Sequence, residues 1–416
     1  MYSENITILH YTAPPIIGGV EAVIEAHTKV FLNNGYTVTI LTGRGGLNNP
    51  LENLKVEIIP EIDSLHPQIS QISASLESGE PSPEFESVSK LLATRLISIL
   101  NDSDHLIVHN IFTKHFNLPL TAALFSLLDN RTIKNCIAWC HDFTWTSPSS
   151  RSKVHPGYPW DLLRTYRSDV SYVTVSERRQ QTLSKLFDCP IEKVNLVYNG
   201  VDPQELLGLS PDGFELINRI GLLDNELNLL LPVRVTGAKN IEFALRTLAV
   251  PKSNSVNAKL VITGPPDPHD NESIELFQSL KSLSNKLDIQ EEVHFIYESG
   301  SDPKTPFYIK SKIVGDLYRV SDILFMPSHR EGFGMPVLEA GLVGLAVFST
   351  GFPAAEEIGG KDITTIYPGV DPQAAANQIM TWAANSKIYH LKRRVRQEFT
   401  WEAIFQDKIK PLFLCS

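Results

Sequence analysis

Ser328–Ala340 reads SHREGFGMPVLEA. The run just before it, Ile323–Met326, is wholly apolar and reads as a buried strand. A turn built on Gly332, Phe333 and Gly334 follows, and Pro336 stands where the first helical residue is expected. The order is strand, glycine-containing loop, helix N-terminus. Such an arrangement presents free backbone N–H groups and the positive end of a helix dipole to a ligand. Glu331 falls in the loop and Glu339 is expected in the first turn of the helix, with seven residues between them. Two carboxylates beside an anion site suit a ligand that carries both phosphate and hydroxyl groups, and a nucleotide sugar is one. An isolated glutamate pair at a helix start is more often ordinary helix chemistry, because Glu in a first turn is favourable by itself.

Outward from this segment, short apolar runs alternate with amphipathic stretches along the whole chain, the pattern of parallel α/β sheets. Strands are expected at Ile6–His10, Thr37–Leu41, Val56–Ile59, Leu106–His109, Cys136–Cys140, Tyr172–Val175 and Asn195–Tyr198. A second series is expected at Leu229–Val235, Lys259–Thr263, Val293–Ile296, Ile323–Met326, Ala346–Ser349 and Ile363–Ile366. Val20, Val23, Ile24, Val30 and Phe31 recur at helical spacing, with Gly35 as the stop. The turn-rich Asn199–Pro203 separates the two series and places the domain joint near 200–212. The expected division is 1–205, 206–390 and a terminal helix over 391–416. Ligands of open α/β sheets sit beyond the carboxyl ends of the strands, so two such sheets would define one cleft. Residues 66–88, rich in Ser, Pro and Glu, read as a surface loop, with a lid or acceptor loop as the alternative.

A chain of 416 residues is too long for one ordinary core. Its hydrophobic content of 42%, charged content of 20% and net charge of −10 describe a soluble globular protein and argue against nucleic acid as a partner. The four cysteines (Cys136, Cys140, Cys189, Cys415) lack zinc-site spacing, and a reducing compartment is the expectation. With neither a signal peptide nor an apolar run of about 18 residues, a cytoplasmic location is expected.

Several further residues fall where chemistry is expected. Gly18-Gly19 lies between the first strand and first helix, where a backbone without Cβ approaches a phosphate, although a glycine pair alone usually marks a turn. It is not a G-x-G-x-x-G fingerprint, which counts against a dehydrogenase. Arg234 and Lys239 follow the first strand of the second series. They are either a solvated loop or fixed cations for a departing diphosphate. Asp102-Ser103-Asp104 has the letters of a metal-binding Asp-x-Asp but precedes its strand, the wrong end for a site. His141-Asp142 follows the Cys136–Cys140 strand, and His109-Asn110 ends the strand before it. Both positions face the expected cleft.

The segment EGFGMPVLE closely resembles the EGFG…LE motif of the retaining GT-B glycosyltransferases of the family-4 (group 1) type. Similarity extends over nearly the whole chain, since GGVE, HD, NGVD, R-x4-K, EGFG…LE and the terminal helical stretch from Thr400 to Leu414 occur in the family's order. The resemblance implies two Rossmann-like domains facing across a cleft, with a C-terminal helix crossing back to the first. It implies transfer of a hexose from a nucleotide-sugar donor, UDP-glucose first, to a saccharide or lipid-linked saccharide acceptor. No metal or other cofactor would be required, and a peripheral membrane contact is compatible with such an acceptor. The donor site would comprise Gly18, Gly19, Arg234, Lys239, Gly332, Phe333, Gly334, Met335, Pro336, Leu338 and Glu339. The catalytic set would be His141, Glu331, Arg234 and Lys239, with His141 and Glu331 on the sugar, Arg234 and Lys239 on the diphosphate and Glu339 on the ribose. A sugar-nucleotide epimerase or hydrolase, or a non-catalytic nucleotide-sugar binder, is the rival reading.

Overall fold

The computed structural model describes residues 4–46, 52–80, 82–266, 271–300, 305–367 and 369–414; Cys415 lies outside them. The chain forms two compact units. One comprises residues 1–200 with 401–416, and the other residues 201–400.

In the first unit seven parallel strands form one sheet: β1 (Asn5–Thr12), β2 (Thr37–Arg44), β3 (Leu54–Ile58), β4 (His105–His109), β5 (Cys136–Cys140), β6 (Val170–Thr174) and β7 (Val194–Leu196). Their order is β3-β2-β1-β4-β5-β6-β7. The second unit has six: β8 (Leu227–Leu231), β9 (Ala258–Ile262), β10 (Val293–Phe295), β11 (Ile323–Met326), β12 (Ala346–Thr350) and β13 (Thr364–Ile366), ordered β10-β9-β8-β11-β12-β13. Each expected strand is present within a few residues of its predicted ends. Both sheets reverse direction of growth beside their first strand, at β1/β4 and at β8/β11, the doubly wound arrangement. Central strands are buried along almost their whole length and are mostly apolar because helices cover both faces. In β4 and β5, Leu106, Val108, Cys136 and Ala138 face one apolar layer, while Ile107, Ile137 and Trp139 face the other.

That second layer includes the end of the chain. The helical run from Trp401 to Leu414 contains a π-turn at Phe405–Ile409. Its Ile404, Phe405, Ile409 and Phe413 pack with Ile6, Ile8 and Phe31. Helix Gly19–Asn33 lies on the same side and buries Val23, Ile24, Val30 and Phe31.

Residues 66–88 correct the loop reading. Pro67–Glu77 is a helix, and another begins at Phe85. Pro67 sits in the first turn, where its missing N–H costs nothing. Ile69, Ile72 and Leu76 line one face at helical spacing and are buried, each contributing about 1.5–3 kcal/mol. Three apolar side chains in register outweigh a polar average composition. Among the described residues no helix is long and apolar enough to cross a membrane.

Candidate functional site

In the second unit the candidate residues gather at the carboxyl ends of β8 and β11, the switch point of that sheet. Beyond β8 a short turn, Gly237–Lys239, ends at Asn240, whose left-handed φ of 52° opens helix Ile241–Ser253. The amide of Asn240 donates to Pro327 O at 3.1 Å. His329 N donates to Ala238 O at 2.9 Å, tying the β11 loop to the β8 loop. Thr350, at the end of β12, donates its hydroxyl to Ser328 O. Within this frame the Lys239 ammonium lies 2.7 Å from Glu331 Oε1, which also accepts from Ser328 Oγ at 2.7 Å. The pair is mostly withdrawn from water, with Lys239 20% and Glu331 9% exposed. The structure therefore joins a cation and a carboxylate that sequence reasoning assigned to different parts of a ligand. Arg234 is exposed and has no hydrogen-bond or ion-pair partner among the described residues.

The EGFG segment departs from expectation in two details. Helix Met335–Val343 starts one residue early, so Pro336 is its second residue and Glu339 lies in the second turn. The two glycines also differ. Gly334 has φ +83°, and a Cβ there would stand 2.9 Å from the Phe352 ring, whereas Gly332 has open space around it. A left-handed residue is needed at Gly334 to turn the chain into the helix. Phe333, Met335, Leu338 and Glu339 are exposed along the helix start. Tyr318, on the preceding helix Ser311–Val320, is buried. Burial pushes its phenol pKa up, and the Glu339 carboxylate pushes it further.

The first unit builds its candidate site from histidines at its own switch point. Burial, and next the neighbouring His10, push the His141 pKa down to about 4. Its Nε2 lies 3.0 Å from His109 Nδ1, the two rings nearly parallel at 15°. Asn110, in a left-handed conformation (φ 62°), accepts at Oδ1 from His141 N at 2.8 Å and Asp142 N at 3.1 Å. Asp142 is ion-paired with Arg179 at 2.8 Å. His10, at the end of β1, lies with Nδ1 2.9 Å from His109 O. His27 packs edge-on against Trp139 and Trp401, and burial pushes its pKa down to about 3. The histidines are thus neutral near pH 7.

Gly18 and Gly19 open helix Gly19–Asn33. Gly18 is the extended residue before it (φ −170°) and Gly19 its first member. The buried Glu21 carboxylate folds against Gly18, where a Cβ would collide with it, and accepts from the Thr12 hydroxyl. Close approach at Gly18 is therefore used by Glu21. Sequence position alone marked His109 and Asn110; His10, His27 and Arg179 went unmarked, because strand pairing and the packing of two helices bring them to the site, and Ser328 stood in the Ser328–Ala340 segment without an assigned role.

The model of the glycosyl transferases group 1 family matches residues 214–398, and that of glycosyltransferase family 4 matches residues 17–205. One model thus covers most of each unit. The chain belongs to the group 1, GT-B glycosyltransferases. An uncharacterized glycosyltransferase of Methanocaldococcus jannaschii is 29% identical over 261 residues, 60% of this chain and 61% of that protein. The mannosylglucosylglycerate synthase of Petrotoga mobilis is 23% identical over 254 residues, 58% of this chain and 57% of that protein. The chain spans about three fifths of the length of these curated relatives. A solved glycosyltransferase from Rickettsia africae is 18% identical, covering 100% of this chain and 99% of that one, with a TM-score of 0.38. In this group 1 glycosyltransferase the EGFG motif lies within the first match and the GGVE and HD motifs within the second.

Proposed function

We propose that the protein is a retaining, metal-independent glycosyltransferase that moves a hexose from UDP-glucose to a saccharide or lipid-linked saccharide acceptor. The observation that carries this reading is the Lys239–Glu331 pair and the helix beginning at Met335 at one switch point, with Arg234 exposed in the loop that follows β8. Fixed cations and a helix N-terminus offer a diphosphate the positive potential that a metal supplies elsewhere. Glu339 takes the ribose hydroxyls. Glu331 takes the donor sugar, held in place by Lys239 and Ser328 until Lys239 turns part of its charge to the leaving phosphate. His141, neutral at physiological pH, offers a hydrogen bond to the sugar without repelling an oxocarbenium-like centre.

The acceptor hydroxyl then attacks the anomeric carbon on the face from which the diphosphate leaves. Its proton passes to the leaving phosphate oxygen, so the reaction needs no protein base. A thermal-shift panel of nucleotide sugars in excess EDTA tests the assignment, since a ligand at 100 times its Kd adds about 2.7 kcal/mol of stability. UDP-glucose is expected to give the largest shift, with the anomeric configuration kept in the product by NMR. Absence of any shift across the panel contradicts the proposal.

A further inference from the structure

His141 is held at two points by one dipeptide. The Asn110 side chain accepts from the backbone N–H groups of His141 and Asp142, and the His109 ring meets the His141 ring at 3.0 Å. Asn110 fixes the turn; the ring contact leaves His109 free to do something else. Two neutral imidazoles share a single proton along such a contact, and which ring owns it decides what the other face of His141 offers.

The surroundings choose between the two arrangements. His109 Nε2 is buried and has no hydrogen-bond partner among the described residues. Were His141 to donate from Nε2, His109 would carry its own proton on Nε2, as a buried and orphaned N–H. Were His109 to donate from Nδ1, Nε2 would be left with only an unused lone pair, and orphaned acceptors are tolerated better than orphaned donors. Burial keeps both rings neutral, so neither gains a second proton that would remove the choice. Among the described residues His141 Nδ1 has no protein hydrogen-bond partner, and it is not among the buried unsatisfied atoms.

We propose that His109 is a positioning residue that donates from Nδ1 to His141 Nε2, so that His141 carries its proton on Nδ1 and presents an N–H donor to a sugar hydroxyl. The inference rests on His141 being the donor-sugar contact, but the tautomer stands apart from that reading and is measurable without substrate.

Long-range 1H–15N correlation on protein labelled with 15N-histidine reports the tautomer directly, with His141 assigned by its loss in His141→Gln. The expected spectrum has a protonated Nδ1 and a bare Nε2 on His141 at pH 7.5. A protonated Nε2 on His141 overturns the proposal even if transfer is normal. Absent transfer with the expected tautomer leaves it standing and removes the sugar reading instead. In turnover, His109→Phe is expected to lower kcat about 10–100-fold, the range met when a partner orienting a metal-bound histidine is lost and taken here as the scale for an orienting contact. Nucleoside diphosphate affinity should stay the same. His109→Asn, whose amide nitrogen falls near the place of Nδ1, is expected to recover most of that loss. Equal kcat in wild type and His109→Phe, or no recovery by Asn in a folded variant, contradicts it.

Discussion

The two units share strand order and put their candidate residues at the same place, the carboxyl ends of strands flanking the reversal point. Their chemistry differs. One unit gathers His10, His27, His109 and His141, imidazoles whose burial keeps them uncharged. The other gathers Arg234, Lys239, Glu331 and Glu339, charges set on loops and a helix start. One scaffold therefore carries both a cluster of neutral imidazoles and a cluster of fixed charges, set by a few residues at strand ends, in the loops that follow and on one helix. A diphosphate needs permanent charge. A sugar ring gaining positive character tolerates neutral imidazoles and carboxylates but not imidazolium.

The largest expected effect is on turnover. Glu331→Gln and His141→Ala should each lower kcat by about 100-fold or more, the scale of losing one group that meets developing charge. His141→Ala should leave nucleoside diphosphate affinity untouched in calorimetry. Glu331→Gln should alter it only through Lys239, whose ion-pair charge it removes while keeping an acceptor oxygen. Full turnover in His141→Ala breaks the comparison on the neutral side.

Next in size is a dependence of stability on pH. His27 and His141 have folded pKa values of about 3 and about 4, below the ordinary value of about 6.5, so the unfolded chain binds more protons in that window. The stability they contribute is present above about pH 6.5 and is lost as pH falls toward about 4. Around pH 5 the loss is about 2 kcal/mol for each such group. In the second unit His294 is the one histidine among the described residues with a depressed value, about 4. Amide exchange, corrected for intrinsic rates, should show protection falling further in residues 1–200 than in 201–400 between pH 7.5 and 5. Equal falls contradict the assignment of neutral histidines to the first unit.

Smaller again is the effect of Glu339→Gln. Loss of a charge-assisted hydrogen bond to the ribose should weaken nucleoside diphosphate binding by about 1.5 kcal/mol, roughly tenfold. Unchanged affinity would leave Glu339 facing Tyr318 alone. Smallest is the pair of glycines in the same segment. Gly334→Ala meets both a left-handed backbone and the Phe352 ring and should lower the melting temperature by several degrees, a cost of about 1 kcal/mol or more. Gly332→Ala should leave it within a degree. A reversed order would mean the turn is built on the other glycine.

Most of the fold was legible because parallel strands covered on both faces are continuous apolar runs, and turn residues mark their ends. Residues 66–88 were not, since polar composition hid three apolar side chains that are aligned only once the segment is helical. EGFG and R-x4-K were legible as motifs, but the Lys239–Glu331 pair was not. Its members come from different loops, and the register of β8 against β11 alone brings them together. The His109–His141 contact escaped for the same reason, between β4 and β5.

The ionic and neutral division is tested most directly by calorimetric titration of UDP in excess EDTA into the wild-type protein, Arg234→Ala and His141→Ala. The expected result is binding by the wild type without metal, loss of at least tenfold in affinity for Arg234→Ala, and wild-type affinity for His141→Ala. Binding that appears only when a divalent metal is restored, or equal losses in the two variants while both remain folded, would contradict it.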